Sequence, residues 1–110
     1  MANTSNPSAL QEALGNFAPK LVSLTDDVLF GDVWERSALS KRDRSLATIT
    51  GLITLRATEQ LPFHIKRGVE NGLTQAEIVE LITHMAFYSG WPSAMSAIAV
   101  AKKIFEEEKQ

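Results

Sequence analysis

Apolar positions recur at helical spacing along nearly the whole chain, and no stretch alternates apolar and polar residues as a half-buried strand does. The pattern predicts an all-α protein, with residues 1–7 a disordered lead and 8–110 a single helical domain. Ser8 is placed to cap a short helix reaching about Asn16. Pro19 suits the first turn of a second helix, Lys20 to about Leu29, which Phe30-Gly31 stops. Asp32 to Leu39 has no clean period and reads as a turn that lays Trp34 against the body. Ser40 to Asp43 resembles a capping box and opens a helix to about Arg56, with Leu46, Ile49, Leu52 and Ile53 along one stripe. Thr48, Thr50 and Thr54 lower the intrinsic propensity of that helix, so packing must hold it. Thr58 is expected to cap the next helix, with Pro62 in its first turn and Asn71-Gly72 as its end. Thr74-Gln-Ala-Glu77 is a full capping box, and Ile78, Leu81, Ile82, Met85 and Ala86 follow at helical spacing. Gly90-Trp91-Pro92 breaks that helix, and the last one runs from Ser93 to about Glu108.

The start of the last helix, Ala94 to Ala101, is apolar around most of its circumference. A helix apolar on every side is hard to bury in a chain this small, so a homo-oligomer is expected; the alternative is the central helix of a monomeric bundle. With 11 basic and 13 acidic residues well mixed, the net charge of -2 offers no footprint for nucleic acid. Met1 to Ser8 lacks the pattern of a signal peptide, and no apolar run has membrane-spanning length, so a cytoplasmic protein without a membrane partner is expected. The chain has no cysteine, which excludes disulfides, cysteine-bound metal and thiol catalysis.

The acid–base inventory is short. His64 lies in line with Gln60, Arg67 and Gly68, a polar row whose small residue leaves space beside the imidazole; a solvated helix face is the plainer reading. His84 lies in line with Glu80 and Tyr88, a row that either orients an imidazole for chemistry or forms a buried, hydrogen-bonded strut. The histidines fall on different helices with no companion at ligand spacing, so no metal site is expected. Arg36, Lys41, Arg42, Asp43 and Arg44 cluster before the threonine-rich helix, where a cation could hold a substrate carboxylate or simply be solvated. There is no glycine-rich phosphate loop and no nucleophile elbow.

Longer phrases carry more information. Asp32-Val-Trp-Glu, Arg42-Asp-Arg-Ser-Leu46, Glu59-Gln-Leu-Pro-Phe-His-Ile-Lys-Arg67, Asn71-Gly72 and Ile82-Thr-His-Met-Ala-Phe-Tyr-Ser-Gly-Trp-Pro-Ser-Ala-Met95 resemble the carboxymuconolactone decarboxylase family, over about residues 20 to 107. The resemblance implies the all-helical bundle of the alkylhydroperoxidase D-like proteins, assembled as trimers or hexamers. In the peroxidase branch a Cys-x-x-Cys pair precedes a histidine. Here that histidine is His64, the cysteine positions hold Ala57 and Gln60, and the position of a glutamate on the preceding helix holds Ser45. The thiol relay of an antioxidant protein is therefore missing.

The decarboxylase branch, by resemblance, converts 4-carboxymuconolactone to the enol-lactone of 3-oxoadipate without a cofactor. The electrons of the broken bond pass through the alkene into the lactone carbonyl. Such a protein must supply a cation for the carboxylates, a donor to the developing enolate oxygen and an acid for the ring carbon. The expected roles are Arg44, with Arg42 or Arg67 as substitute, for the carboxylate and His64 for the proton. His84 would support the enolate or a second carboxylate, Ser45 would line the substrate site, and Trp34, Phe63 and Trp91 would form apolar walls. The competing reading, from another class, is a non-catalytic helical oligomer that binds a small anion or a partner protein.

Overall fold

Side-chain caps fix three of the helix starts. The computed structural model describes residues 8–108, and the expected disordered lead, residues 1–7, lies outside them. All of its regular elements are helical. The described residues fall into two compact units, one ending at Leu39 and the other beginning at Ser40.

In the first unit, α1 (Ala9–Leu14) is capped by Ser8, whose Oγ accepts the Gln11 N–H at 2.9 Å and donates to Asp26 Oδ2 at 2.7 Å. Pro19 begins α2 (Pro19–Ser23) as expected, but the chain does not continue as an α-helix to Leu29. From Leu24 to Phe30 it winds as a π-helix. A Cβ at Gly31 would come within 2.8 Å of the Asp26 and Asp27 carbonyl oxygens, so the wide turns close on a residue that must lack a side chain. Trp34 sits in a 3-10 turn, Val33–Glu35, 5% exposed, with its ring 6.0 Å from that of Phe30.

The second unit holds α3 (Lys41–Leu55), α4 (Leu61–Glu70), α5 (Gln75–Met85) and α6 (Trp91–Glu108). Ser40 accepts the Asp43 N–H at 3.1 Å, and Arg56, in the left-handed region at φ 56°, ends α3. Thr48, Thr50 and Thr54 each donate to the carbonyl four residues back, which satisfies hydroxyls that would otherwise compete with the helix. Thr58 is not the cap of α4. That helix starts at Leu61, after a turn that leaves Gln60 before it without a side-chain cap, and Pro62 occupies the first turn, where no N–H is needed. The α5 box forms in both directions, Glu77 N to Thr74 Oγ1 at 3.0 Å and Thr74 N to Glu77 Oε1 at 2.9 Å. Gly90, at φ 102°, makes the expected break, but α6 resumes at Trp91 instead of Ser93, with Pro92 tolerated in its first turn.

Ile49, Ile53, Leu61, Ile65, Leu73, Ile78 and Ile82 meet Ala94, Ala97, Ala101, Ile104 and Phe105 of α6 in one core. α6 packs on α3, α4 and α5. Ala94, Ala97, Ala101, Ile104 and Phe105 are its buried face, while Ile98 and Val100 are half-buried and Met95 and Ala99 are exposed. α3 also touches α6, so these two form the middle of the unit, while α4 and α5 each lean on both of them. Among the described residues no helix is long and apolar enough to cross a membrane.

Candidate active site

A few polar residues of α3 and α4 border the line where the two helices meet. Gly68 is the contact point: a Cβ there would lie 3.1 Å from Ile49 Cδ1 and Leu73 Cδ1, and 3.7 Å from Ser45 Cβ. Gly68 therefore does not leave space beside His64, as its sequence position suggested. Its missing side chain lets α4 approach α3 closely.

One stripe of α4 borders this contact. His64, Arg67 and Asn71 follow at i, i+3 and i+7, so they line one side of the helix. On α3, Arg44, Ser45 and Thr48 form the matching stripe. The two are tied by a hydrogen bond from Asn71 Nδ2 to Ser45 Oγ at 2.9 Å, and Ser45 is 0% exposed.

His64 is half-buried, and its Nδ1, like Arg44 Nε, is sealed from solvent. Burial lowers the His64 pKa from its ordinary value, and the positive charge of Arg67 lowers it further. Both effects favour the neutral imidazole. Phe63 meets it edge-on, with centroids 5.0 Å apart, and the Arg67 guanidinium lies 5.6 Å from the centroid of the same phenyl ring. Phe63, His64 and Arg67 thus form one contiguous group.

Arg42 is held elsewhere. Its guanidinium donates to Glu77 Oε2 at 2.6 Å and Asp43 Oδ1 at 3.0 Å, tying the start of α3 to the start of α5. The hydrogen bond and charge of Glu77 raise the Arg42 pKa. That of Glu77 is lowered first by its bond to the Thr74 backbone and then by Arg42.

His84 is not a buried strut. It is exposed, with its ring 4.8 Å from that of Tyr88. Its helix, α5, lies across the α3–α6 pair from α4, so the two histidines are not brought together within one chain. Trp91 is exposed too, meeting Phe87 edge-on at 5.6 Å. With Phe87 and Tyr88 each 75% exposed, and Met95 exposed nearby on α6, the turn between α5 and α6 carries an apolar, aromatic corner. Trp34 belongs to the first unit, where it packs on Phe30. Among the described residues, no three of His, Asp or Glu gather as metal ligands.

Asn71 was not among the sequence-derived candidates, because Asn71-Gly72 reads as a helix stop. The available signal was its i+7 spacing from His64.

The model of the carboxymuconolactone decarboxylase family matches residues 19–103. Over 96 residues the chain is 32% identical to a 4-carboxymuconolactone decarboxylase of Acinetobacter baylyi, a match covering 87% of this chain and 72% of that protein. Over 78 residues it is 36% identical to a nitrosuccinic acid decarboxylase of Metarhizium robertsii, covering 71% of this chain and 54% of that protein. The chain thus spans about half the length of the second relative.

Proposed function

The chain belongs to the carboxymuconolactone decarboxylase family, and on that premise we propose that it is a cofactor-free decarboxylase of a small carboxylated lactone, 4-carboxymuconolactone or a close relative. The observation that carries this reading is the α3–α4 contact: a sheltered histidine with Arg67 on its own stripe and Arg44 on α3. Such a surface attracts a carboxylate and lets a proton be exchanged beside it.

The chemistry needs little more. When the bond from the ring carbon to its carboxylate breaks, CO2 leaves and the electron pair passes through the alkene to the lactone carbonyl oxygen. The carbon beside that carbonyl then takes a proton, the carbonyl re-forms, and the double bond is left at the carbon that lost CO2. The substrate is its own electron sink, so the protein supplies charge and a proton. Arg67 and Arg44 hold the carboxylates. A bound carboxylate offsets the charge of Arg67, one of the two causes that keep His64 neutral, so His64 takes up a proton as substrate binds and delivers it to carbon. Phe63 covers the imidazole. His84 and Trp91, on the α5–α6 side, stand outside this group.

The test is direct. Purified protein added to 4-carboxymuconolactone is expected to abolish the ultraviolet absorbance of the lactone and release one CO2 per molecule consumed. Binding without turnover, across a panel of carboxylated lactones, would favour a non-catalytic anion-binding oligomer.

We also propose a homo-oligomer, a trimer or hexamer. The exposed corner of Phe87, Tyr88, Trp91 and Met95 supports it, being a surface of the kind that protein contacts cover. Sedimentation as a 12.1 kDa monomer would overturn this part of the proposal.

A further inference from the structure

Decarboxylation of this kind places negative charge on an oxygen, and the groups assigned above leave that oxygen without a donor. A suitable donor has a strict requirement: it must stabilise the oxyanion without surrendering its proton, because the proton is wanted at carbon. A neutral amide N–H meets it, being a donor far too weakly acidic to quench an enolate.

The two stripes narrow the choice. The Thr48 hydroxyl proton is already given to the Arg44 carbonyl at 2.8 Å. Ser45 is fully buried, and its Oγ accepts from Asn71. Asn71 is half-buried, and one N–H of its planar amide is fixed by Ser45, so the direction of the second is fixed as well. That second N–H makes no hydrogen bond within the described residues.

Placement along α4 fits a small substrate. From His64 to Asn71 the helix rises about 10 Å, with Arg67 between, which leaves room for one compact dicarboxylate between an acid at one end and an amide at the other. The negative end of the α4 dipole would oppose an oxyanion at Asn71. However, the Asn71–Ser45 bond sets the last turn of α4 beside the first turns of α3, whose end carries the opposite partial charge. The two offset each other, and the amide decides.

Resting on the decarboxylase reading, we infer that the side-chain amide of Asn71 donates to the substrate oxygen that collects the electrons during CO2 loss, and that Ser45 is the positioning residue that aims it. A substrate in this class carries an oxygen acceptor conjugated to the departing carboxylate, on the carbon next to the one that His64 protonates.

Two variants and two readouts test this. Asn71→Ala removes the amide. Asn71→Asp keeps a partner for the Ser45 hydroxyl, and so the tie between the helices, but has no N–H. The rate at saturating substrate is measured together with protein-catalysed exchange of the product's carbon-bound hydrogen in D2O, which requires the same enolate without any CO2 loss. Both variants are expected to lower kcat by about 100-fold and to slow exchange in parallel, while melting curves show both folded. If Asn71→Asp retains kcat and exchange within about twofold, below the loss that removal of an oxyanion donor produces, Asn71 is only a structural tie and the inference is overturned. If the unaltered protein decarboxylates no member of the lactone panel, the reading beneath the inference falls and takes the inference with it.

Discussion

His64→Gln is expected to lower kcat by about 10²–10⁴-fold, the usual contribution of a positioned general acid, with KM changed far less. Glutamine preserves much of the bulk and some of the hydrogen bonding of the imidazole but cannot deliver a proton. The pH profile provides a second, independent signature. In the free protein, burial and Arg67 hold the His64 pKa below 6.5. The acid form is the active one at the protonation step, so kcat/KM, which reports the free protein, should fall as pH rises through that lowered value. The kcat profile reports the complex. There a substrate carboxylate near Arg67 raises the same pKa, so its falling limb should lie at higher pH. Both limbs should vanish in His64→Gln. An unchanged rate in the variant would remove His64 from the mechanism, and coincident limbs would remove the link between binding and proton uptake.

Ile65→Ala is expected to destabilise the protein by about 2–5 kcal/mol, as truncation of a fully buried isoleucine does. Ile65 is 0% exposed, and it sits between Leu61 and Gly68 on the buried face of α4. A helix of 10 residues is marginal on its own, so α4 holds its position by that face. Against a typical stability of about 5–15 kcal/mol this is a large share. The measurement is the shift of the urea midpoint, with the slope unchanged. A cost under about 1 kcal/mol would mean that the surroundings collapse onto the smaller side chain and that α4 is anchored elsewhere. His64 is the neighbour of Ile65 in the chain, so the remaining folded protein is also expected to be a poorer catalyst.

The parts of this structure that were legible in the sequence are those governed by local chemistry. Ser8, Ser40 and Thr74 sit where a side-chain oxygen reaches an unbonded N–H three residues on, and each forms that bond. Thr58 has the same chemical credentials but does not cap α4, because the chain after Arg56 makes a separate turn before Leu61. The π-wound stretch from Leu24 leaves no signature in apolar spacing, since it depends on carbonyls closing over Gly31.

The candidate site divides in the same way. His64, Phe63 and Arg67 share one helix, so periodicity alone groups them. Arg42 and Arg44 are nearly indistinguishable as sequence, yet Glu77, arriving from a distant helix, claims one of them. Gly68 reads as empty space until α3 is set against it. Asn71 reads as a stop until Ser45 is seen across the gap. Each of these misreadings concerns which side of a helix meets which neighbour, and a single chain's periodicity does not encode that.

The glycine contact between α3 and α4 has a bearing on how such a protein acquires new substrates. Two helices held this close at Gly68 behave as the fixed jaws of a gauge, with a gap set by packed aliphatic groups and not by any loop. Lengthening or reshaping the connections leaves that gap as it is. With the substrate placed as proposed, new specificity on this scaffold would come from exchanging the side chains along the two stripes, one turn of helix at a time.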